Sequence, residues 1–419
     1  MNYPFNPEFC HERQGAIDNM DYRKEISSWR ANSINEVIYC IEKLSMNKNL
    51  IDRAWIVFYW VSQNIKYDVI SYLSGFMRHQ TAEDIFRHKR GVCDAYATIF
   101  KALCDGVQLE CEKISGFAKG YDYIPMQSTF TRANHAWNVI RLNNHWYFID
   151  STWGAGHLDK YKRYKKQLDP HYFLTEPKHM IYNHLPENPR WQLLSPTISM
   201  PQFTMLPVVS STFFNLKLII VSPCNTNMVP FDTNRSLAEV VIRTPSDVCL
   251  SCSVDHDSTS GLAQYDVDRK LWYCLFRPRL SGYQTLDIYA RKGPPTGSYE
   301  GAIVLGLNMP KIIQFQKFPY TYDAFTRYQC QIFEPLDEKL KKYTKVTIHC
   351  RIPGAVYVYL SYDGTLSSNK YSLVDDIFKE EIIVPKREVA IYAKFPKDQE
   401  SNHVEGLFKY TVERKFYLF

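Results

Sequence analysis

His88–Cys104, HKRGVCDAYATIFKALC, sets one cysteine between a basic, glycine-containing turn and a helical stripe. Tyr96, Ile99, Phe100 and Leu103 recur at spacings of three and four, which marks one apolar helix face, and Gly106 is expected to stop the helix. Cys93 then falls at the helix N-terminus. Unpaired N–H groups and the positive end of the helix dipole favour the thiolate there, and the thiolate is the nucleophilic form. A small buried hydrophobe is the competing reading of such a cysteine. A partner base decides between the two.

Asn134–Gly154, NHAWNVIRLNNHWYFIDSTWG, offers one. The pattern predicts two strands, Asn134–Leu142 and His145–Thr152, joined by the two-residue turn Asn143-Asn144. Leu142 then faces His145, Trp137 faces Asp150 and His135 faces Thr152, so His135 and Asp150 lie on one face as diagonal neighbours. A carboxylate in that position can orient the imidazole, whose other nitrogen takes the thiol proton. Two plainer readings stay open at this point: His135 as the cap of a neighbouring strand, and Asp150 as an Asx turn before Ser151-Thr152.

The regions around these stretches define the organisation. Upstream, Tyr22–Tyr67 has helical spacing, with Ile34, Val37, Ile38, Ile41 and Leu44 on one stripe, Ser33 and Glu36 as a capping box, and a second, largely buried helix through Trp55, Phe58, Tyr59 and Ser62. Downstream, between Ile114 and Thr152, alternating segments read as strands. Pro186, Pro189, Pro196 and Pro201 then forbid regular structure, which puts a domain boundary near Pro207. Beyond it, short strand-like runs recur twice in similar order: EVVIRTP, ending at Pro245, matches VTIHCRIP, ending at Pro353, and LDIYARK from Leu286 matches VAIYAKF from Val389. The expected architecture is an α+β core over residues 1–207 with an N-terminal helical extension, then two all-β sandwiches of immunoglobulin-like size, 208–310 and 311–419, joined near LNMPKIIQFQKFP.

Composition is consistent with this: over 419 residues, 45% are hydrophobic, 22% charged and 15% aromatic, a globular balance. A net charge of +6 is too mild for a nucleic-acid binder. The opening MNYPFNPEFCHERQG lacks a secretory pattern and no apolar run approaches membrane-spanning length, so a cytoplasmic protein without a membrane partner is the expectation. Eleven scattered cysteines, an odd number, read as reduced thiols. Cys249 and Cys252 form a C-x-x-C whose alternation with Val248 and Leu250 suits a strand rather than a zinc site.

The stretches Arg90–Cys104, Asn134–Gly154 and DPHYFLTEPKHMIYNHLPENPRWQLL, Asp169–Leu194, resemble the transglutaminase-like core of the kyphoscoliosis peptidase family, hillarin included. The resemblance is strongest over Ile65–Leu194, and the β-rich repeats resemble the immunoglobulin-like modules of the same family. It implies a papain-like, transglutaminase-like fold in which Cys93 is the nucleophile, His135 the general base and acid, and Asp150 the residue that orients the histidine. For the oxyanion, the helix-start N–H of Cys93 is a candidate donor. Trp60 and Gln63 are weaker ones, set against core packing for Trp60 and a solvated helix position for Gln63. His145, His157, His171, His179 and His184 show no ligand spacing, so neither a metal nor a cofactor is expected. The run DKYKRYKKQLD, Asp159–Asp169, is the densest basic patch, either a solvated loop or a surface for an acidic protein partner.

Three activities follow from the resemblance. The leading one is a cysteine peptidase in which Cys93 forms a thioester with protein substrates, cytoskeletal or actin-crosslinking proteins among them. The alternatives are a protein-glutamine transamidase, and a non-enzymatic scaffold in which core and sandwiches bind cytoskeletal proteins.

Overall fold

The computed structural model describes residues 4–76, 79–159, 161–309, 316–398 and 403–413. Lys160 of the basic run and the junction expected at Pro310 and Lys311 lie outside the described residues. The chain forms two compact units, Met1–Phe203 and Thr204–Phe419.

The first unit opens with four helices, α1 Pro7–Asp18, α2 Met20–Ser28, α3 Ile34–Leu44 and α4 Leu50–Asn64. Each starts at an Asn or Ser whose side chain accepts from a first-turn N–H: Asn6, Asn19, Ser33 and Asn49. The capping box expected at Ser33 is only half formed, because the Glu36 carboxylate accepts from the Asn32 N–H instead of closing on Ser33. Helix α4 is buried along most of its length, with Trp55, Phe58 and Val61 wholly enclosed. Strand β1 (Lys66–Tyr67), short helices α5 (Val69–Ser74) and α6 (Ala82–His88), and strand β2 (Arg90–Gly91) lead to α7, Cys93–Gly106. β1 and β2 run parallel. Gly91 is small for a reason: a Cβ there would collide with that of Ala95 in the first turn of α7.

Helix α7 lies against an antiparallel sheet built from β3 (Cys111–Ala118), β4 (His135–Leu142), β5 (His145–Ile149), β8 (Phe173–Thr175) and β9 (His184–Pro186) in the order β8-β5-β4-β3-β9. Between β5 and β8 lie the short helix α8 (Ser151–Ala155) and the hairpin β6–β7, Gly156–Leu158 with Tyr164–Lys166. The β4–β5 turn is as its sequence requires: Asn143 and Asn144 both adopt positive φ, 47° and 69°, and Leu142 pairs with His145. Asn138, fully buried on β4, donates to the Ala97 carbonyl at 3.1 Å and so ties the sheet to α7.

Two expectations need correction. The second strand of the hairpin stops at Ile149 rather than Thr152, because Asp150 turns the chain by capping α8. Gly106 is the last helical residue, not a left-handed stop: the positive φ falls on Gln108, and Gly106 is kept small by the Ile38 side chain packed against it.

The second unit is β-rich and internally duplicated. One four-stranded sheet pairs Val248–Val254, Gly282–Lys292, Glu300–Met309 and Val208–Val209; the other is built on Leu237–Arg243, which pairs with Ile219–Ser222 and Leu271–Phe276. The second series repeats this order. Tyr357–Tyr362, Glu388–Lys394, Glu405–Val412 and Tyr320–Thr321 form one sheet, and Lys345–Arg351 pairs with Gln331–Glu334 and Ile377–Ile383 in the other. Both anchor pairs read in the sequence occupy equivalent strands. One strand breaks the symmetry. Gly261–Asp266 lies against Leu271–Phe276, whereas its counterpart, Thr365–Tyr371, has crossed to the opposite sheet and pairs with Tyr357–Tyr362. Leu237, Leu262 and Leu275 join the apolar core of the second series, and Gln264 exchanges two hydrogen bonds with the Ile332 backbone, so the two series share a continuous interior.

Candidate active site

Cys93 is the first residue of α7, part-exposed, and no side chain caps the helix start. The first-turn N–H groups of a 14-residue helix are thus directed at whatever charge gathers on the sulfur or beside it. His135, the first residue of β4, faces the sulfur and hydrogen-bonds to it; the Ala136 N–H does so as well. His135 Nε2 is held at 2.7 Å by Asp150 Oδ2, which leaves Nδ1 for the sulfur. The ring is enclosed by Trp137 at 5.8 Å and Trp153 at 5.6 Å between centroids.

Asp150 is wholly buried and uses both oxygens. Oδ1 accepts from the N–H groups of Thr152 and Trp153, at 2.9 and 3.0 Å, while Oδ2 accepts from two imidazoles. The Asx-turn reading and the histidine-orienting reading therefore describe the same side chain, one for each oxygen. The second imidazole is His184 of β9, whose Nε2 lies 3.0 Å from Oδ2. Its ring is bonded on its other side to the Met180 backbone. His184 reaches this position because β9 pairs with the end of β3, Ala118 opposite His184 and Gly116 opposite Pro186. Gly116 is required for that approach, since a Cβ would strike the Leu185 carbonyl and the Trp137 ring.

The electrostatics are those of an ion pair. Burial pushes the Cys93 thiol up, but the charge and hydrogen bond of His135 outweigh it, aided by the Ala136 N–H, and hold it below an ordinary thiol. Burial lowers His135, and the charges of Asp150 and Cys93 more than reverse this, to about 10. Burial also raises Asp150, yet the charge of His135 and the bonds from both histidines keep it well below the usual carboxylate range. Burial dominates at His184, which is lowered despite its bonds to Asp150 and the Met180 backbone.

The other sequence candidates lie elsewhere. Trp60 is 3% exposed and stacks on Phe86 with centroids 6.2 Å apart. Gln63 lines a cavity at the end of α4, and its carbonyl accepts from Lys166. Neither is among the groups whose charge or hydrogen bond acts on the sulfur. His184 had no sequence signal, because its partner lies 34 residues away on a strand of three residues. His135, Asp150 and His184 bring ligand atoms within 4.8 Å of one another, a set that could accept a metal ion. The 2.7 and 3.0 Å N···O separations are nevertheless those of hydrogen bonds, and a metal would have to displace both ring protons from Oδ2.

Residues 39–151 match the transglutaminase-like superfamily, and residues 200–311 match the KY-like, immunoglobulin-like domain. Residues 39–151 are thus those of a transglutaminase-like core. A transglutaminase-like segment followed by a KY-like segment agrees with the resemblance to kyphoscoliosis peptidase and hillarin, which also appear among the chain's relatives. The chain is 32% identical to human kyphoscoliosis peptidase over 180 residues, covering 43% of this chain and 27% of that protein. It is 31% identical to Drosophila melanogaster hillarin over 235 residues, 53% of this chain and 28% of the other. It is also 29% identical to cytokinesis protein 3 of Schizosaccharomyces pombe over 210 residues, 49% and 23%. The match thus spans less than a third of each relative's own length. Among the described residues no helix is long and apolar enough to cross a membrane.

Proposed function

We propose that the chain is a cysteine-dependent acyl-transfer enzyme that hydrolyses protein substrates. The observation that carries this reading is the continuous contact from Asp150 through His135 to a thiol of lowered pKa at a helix start. The Cys93 thiolate attacks an amide carbonyl, and the resulting oxyanion takes the helix-start N–H. The amide C–N bond then breaks as the His135 imidazolium gives its proton to the departing nitrogen, leaving a thioester on Cys93. Water attacks the thioester while neutral His135 takes its proton, the C–S bond breaks, and the free acid leaves with the thiolate restored. Asp150 keeps the ring oriented and stabilises its charge. An amine in place of water would give transamidation by the same steps.

The name of the S. pombe relative, cytokinesis protein 3, supports cytoskeletal protein substrates and a cytoplasmic setting. The test is labelling of the purified chain with a thiol-directed activity probe, mapped by mass spectrometry. Cys93 should react far faster than Cys104 or Cys111, and His135→Ala should abolish the difference. Equal rates, or a rate indifferent to His135→Ala, would sink the reading. Capture of proteins by Cys93→Ser that wild type releases would support catalysis on them. Identical capture by both, with identical cellular effect, would favour a scaffold.

A further inference from the structure

The basic run Asp159–Asp169 supplies the second strand, Tyr164–Lys166, of the hairpin β6–β7, and the charges of its described residues divide. Asp159 takes Arg163 at 3.0 Å and Lys165 at 3.7 Å. Lys166 instead reaches the end of α4, where its ammonium donates to the Gln63 carbonyl. A cavity of about 720 Å³ opens there, and its wall carries Lys66, His88, Lys89, Arg90 and Lys166 but no carboxylate. The ion pairs of the neighbourhood, Arg87 with Asp84 and those on Asp159, involve none of these five.

Three separate segments thus bring cations to one concavity, and one of them does so against local preference. Lys89 ends α6 with φ 51°, a left-handed position usually given to Gly or Asn. Its ammonium lies over the rings of Phe86 and Trp60, 3.2 and 4.9 Å from their centroids. Burial without a facing carboxylate pushes Lys89 down to about 8 and lowers Lys166, a penalty that a bound anion would reverse.

Chain connectivity keeps one wall of the cavity near the thiol. Arg90 precedes Cys93 by three residues, which span at most about 11 Å of chain. Tyr164, on the cavity wall, lies 6.0 Å from the Tyr67 ring, and burial and then the charge of Cys93 raise the Tyr67 phenol.

We propose that this cavity docks an acidic side chain, carboxylate or phosphorylated, of the protein segment presented to Cys93. The proposal rests on the acyl-transfer reading and names what would select among proteins. An extended segment advances about 3.3 Å per residue, which puts the acidic residue roughly three to five positions from the one that donates its acyl group.

The test is binding, so that it does not depend on turnover. Full-length Cys93→Ala chain is titrated, by fluorescence anisotropy, into three peptides of equal length: one rich in glutamate, one carrying phosphoserine, and a neutral glutamine and serine control. The acidic peptides should bind at least about tenfold tighter than the control, and Lys89→Gln with Arg90→Gln should remove about that tenfold, whereas Lys48→Gln, remote in sequence, should not. Lys66→Gln, exposed and free of ring contacts, repeats the test should the double variant fold poorly. Competition by inorganic phosphate against the phosphopeptide alone assigns the site to phosphorylated segments; a preferred glutamate peptide assigns it to carboxylates. Equal binding of all three peptides, or a preference that survives both sets of variants, overturns the proposal. A dead triad with intact acidic preference would instead remove the enzymatic reading and leave the docking site standing.

Discussion

In the first unit, a part-exposed thiol sits among groups that stabilise its charge, whereas burial disfavours that charge at Cys252, Cys330 and Cys350 of the β-rich unit. Burial pushes Cys252 and Cys330 well above the ordinary thiol range, and Cys350 is raised in the same way. Burial acts on Cys93 too, but there an imidazolium and a helix start reverse it. Even within α7 the contrast holds: burial and the neighbouring Cys111 raise Cys104, eleven residues beyond Cys93 and fully enclosed. Burial therefore raises each of these thiols, and at Cys93 the surrounding polar groups outweigh it.

The strongest way to break the comparison is to damage one side and read the other. Phe378→Ala, which empties a fully buried position of the second series, should cost that unit about 3–5 kcal/mol, measured by thermal or denaturant unfolding. The Cys93 labelling rate should not change. Next in size, His135→Ala should slow labelling of Cys93 at neutral pH about a hundredfold, because burial is then opposed only by the Ala136 N–H and the helix start. In wild type the pH profile should be flat where a free thiol still titrates. Cys93 is lowered, so the thiolate is lost only on acidification below its depressed value. His135 is raised to about 10, so the imidazolium persists up to that pH. Labelling that climbs through pH 8 to 9 like a simple thiol would show that the pair is absent. Smaller still, His184→Gln removes one of the four bonds to Asp150 and should cost about 1–2 kcal/mol of stability. It should also shift the acid limb of the labelling profile, which a purely structural residue would leave in place. Least of all, Gln63→Ala should leave the labelling rate within about twofold, since Gln63 is not among the groups whose charge or hydrogen bond acts on the Cys93 thiol.

The sequence disclosed whatever depended on short-range pattern. The helix stripe behind Cys93, the Asn143-Asn144 turn and the parity that aligned His135 with Asp150 are relations within a few residues or across one hairpin. The duplication of the β-rich part was also readable, because EVVIRTP and LDIYARK recur in equivalent strands. What escaped was set by segments distant in the chain. His184 arrives through pairing with β3. The basic cavity draws on residues 63–66, 88–90 and 164–166; the last belongs to the basic run visible in the sequence, but its meeting with the other two is not a local relation. The end of β5 at Ile149 was misplaced because Asp150 serves a helix N-cap as well as a histidine, and alternation alone cannot show a side chain with two allegiances.

The strand that changes sheets in the second series carries one more implication. With Thr365–Tyr371 on the opposite side, Ile377–Ile383 has, among the described residues, a strand ladder along one edge, with Lys345–Arg351, and on the rest a single bridge from Val374 to Ile377. An edge without a ladder is a template for pairing with another chain. Its centre is Lys379, Glu380 and Glu381, all exposed, where the matching strand of the first series, Leu271–Phe276, has Tyr273, Cys274 and Leu275 beneath a covering neighbour. The duplicated fold has thus exchanged a shielding strand for charged gatekeepers, and its protection against edge-to-edge aggregation rests on three side chains instead of a row of backbone hydrogen bonds.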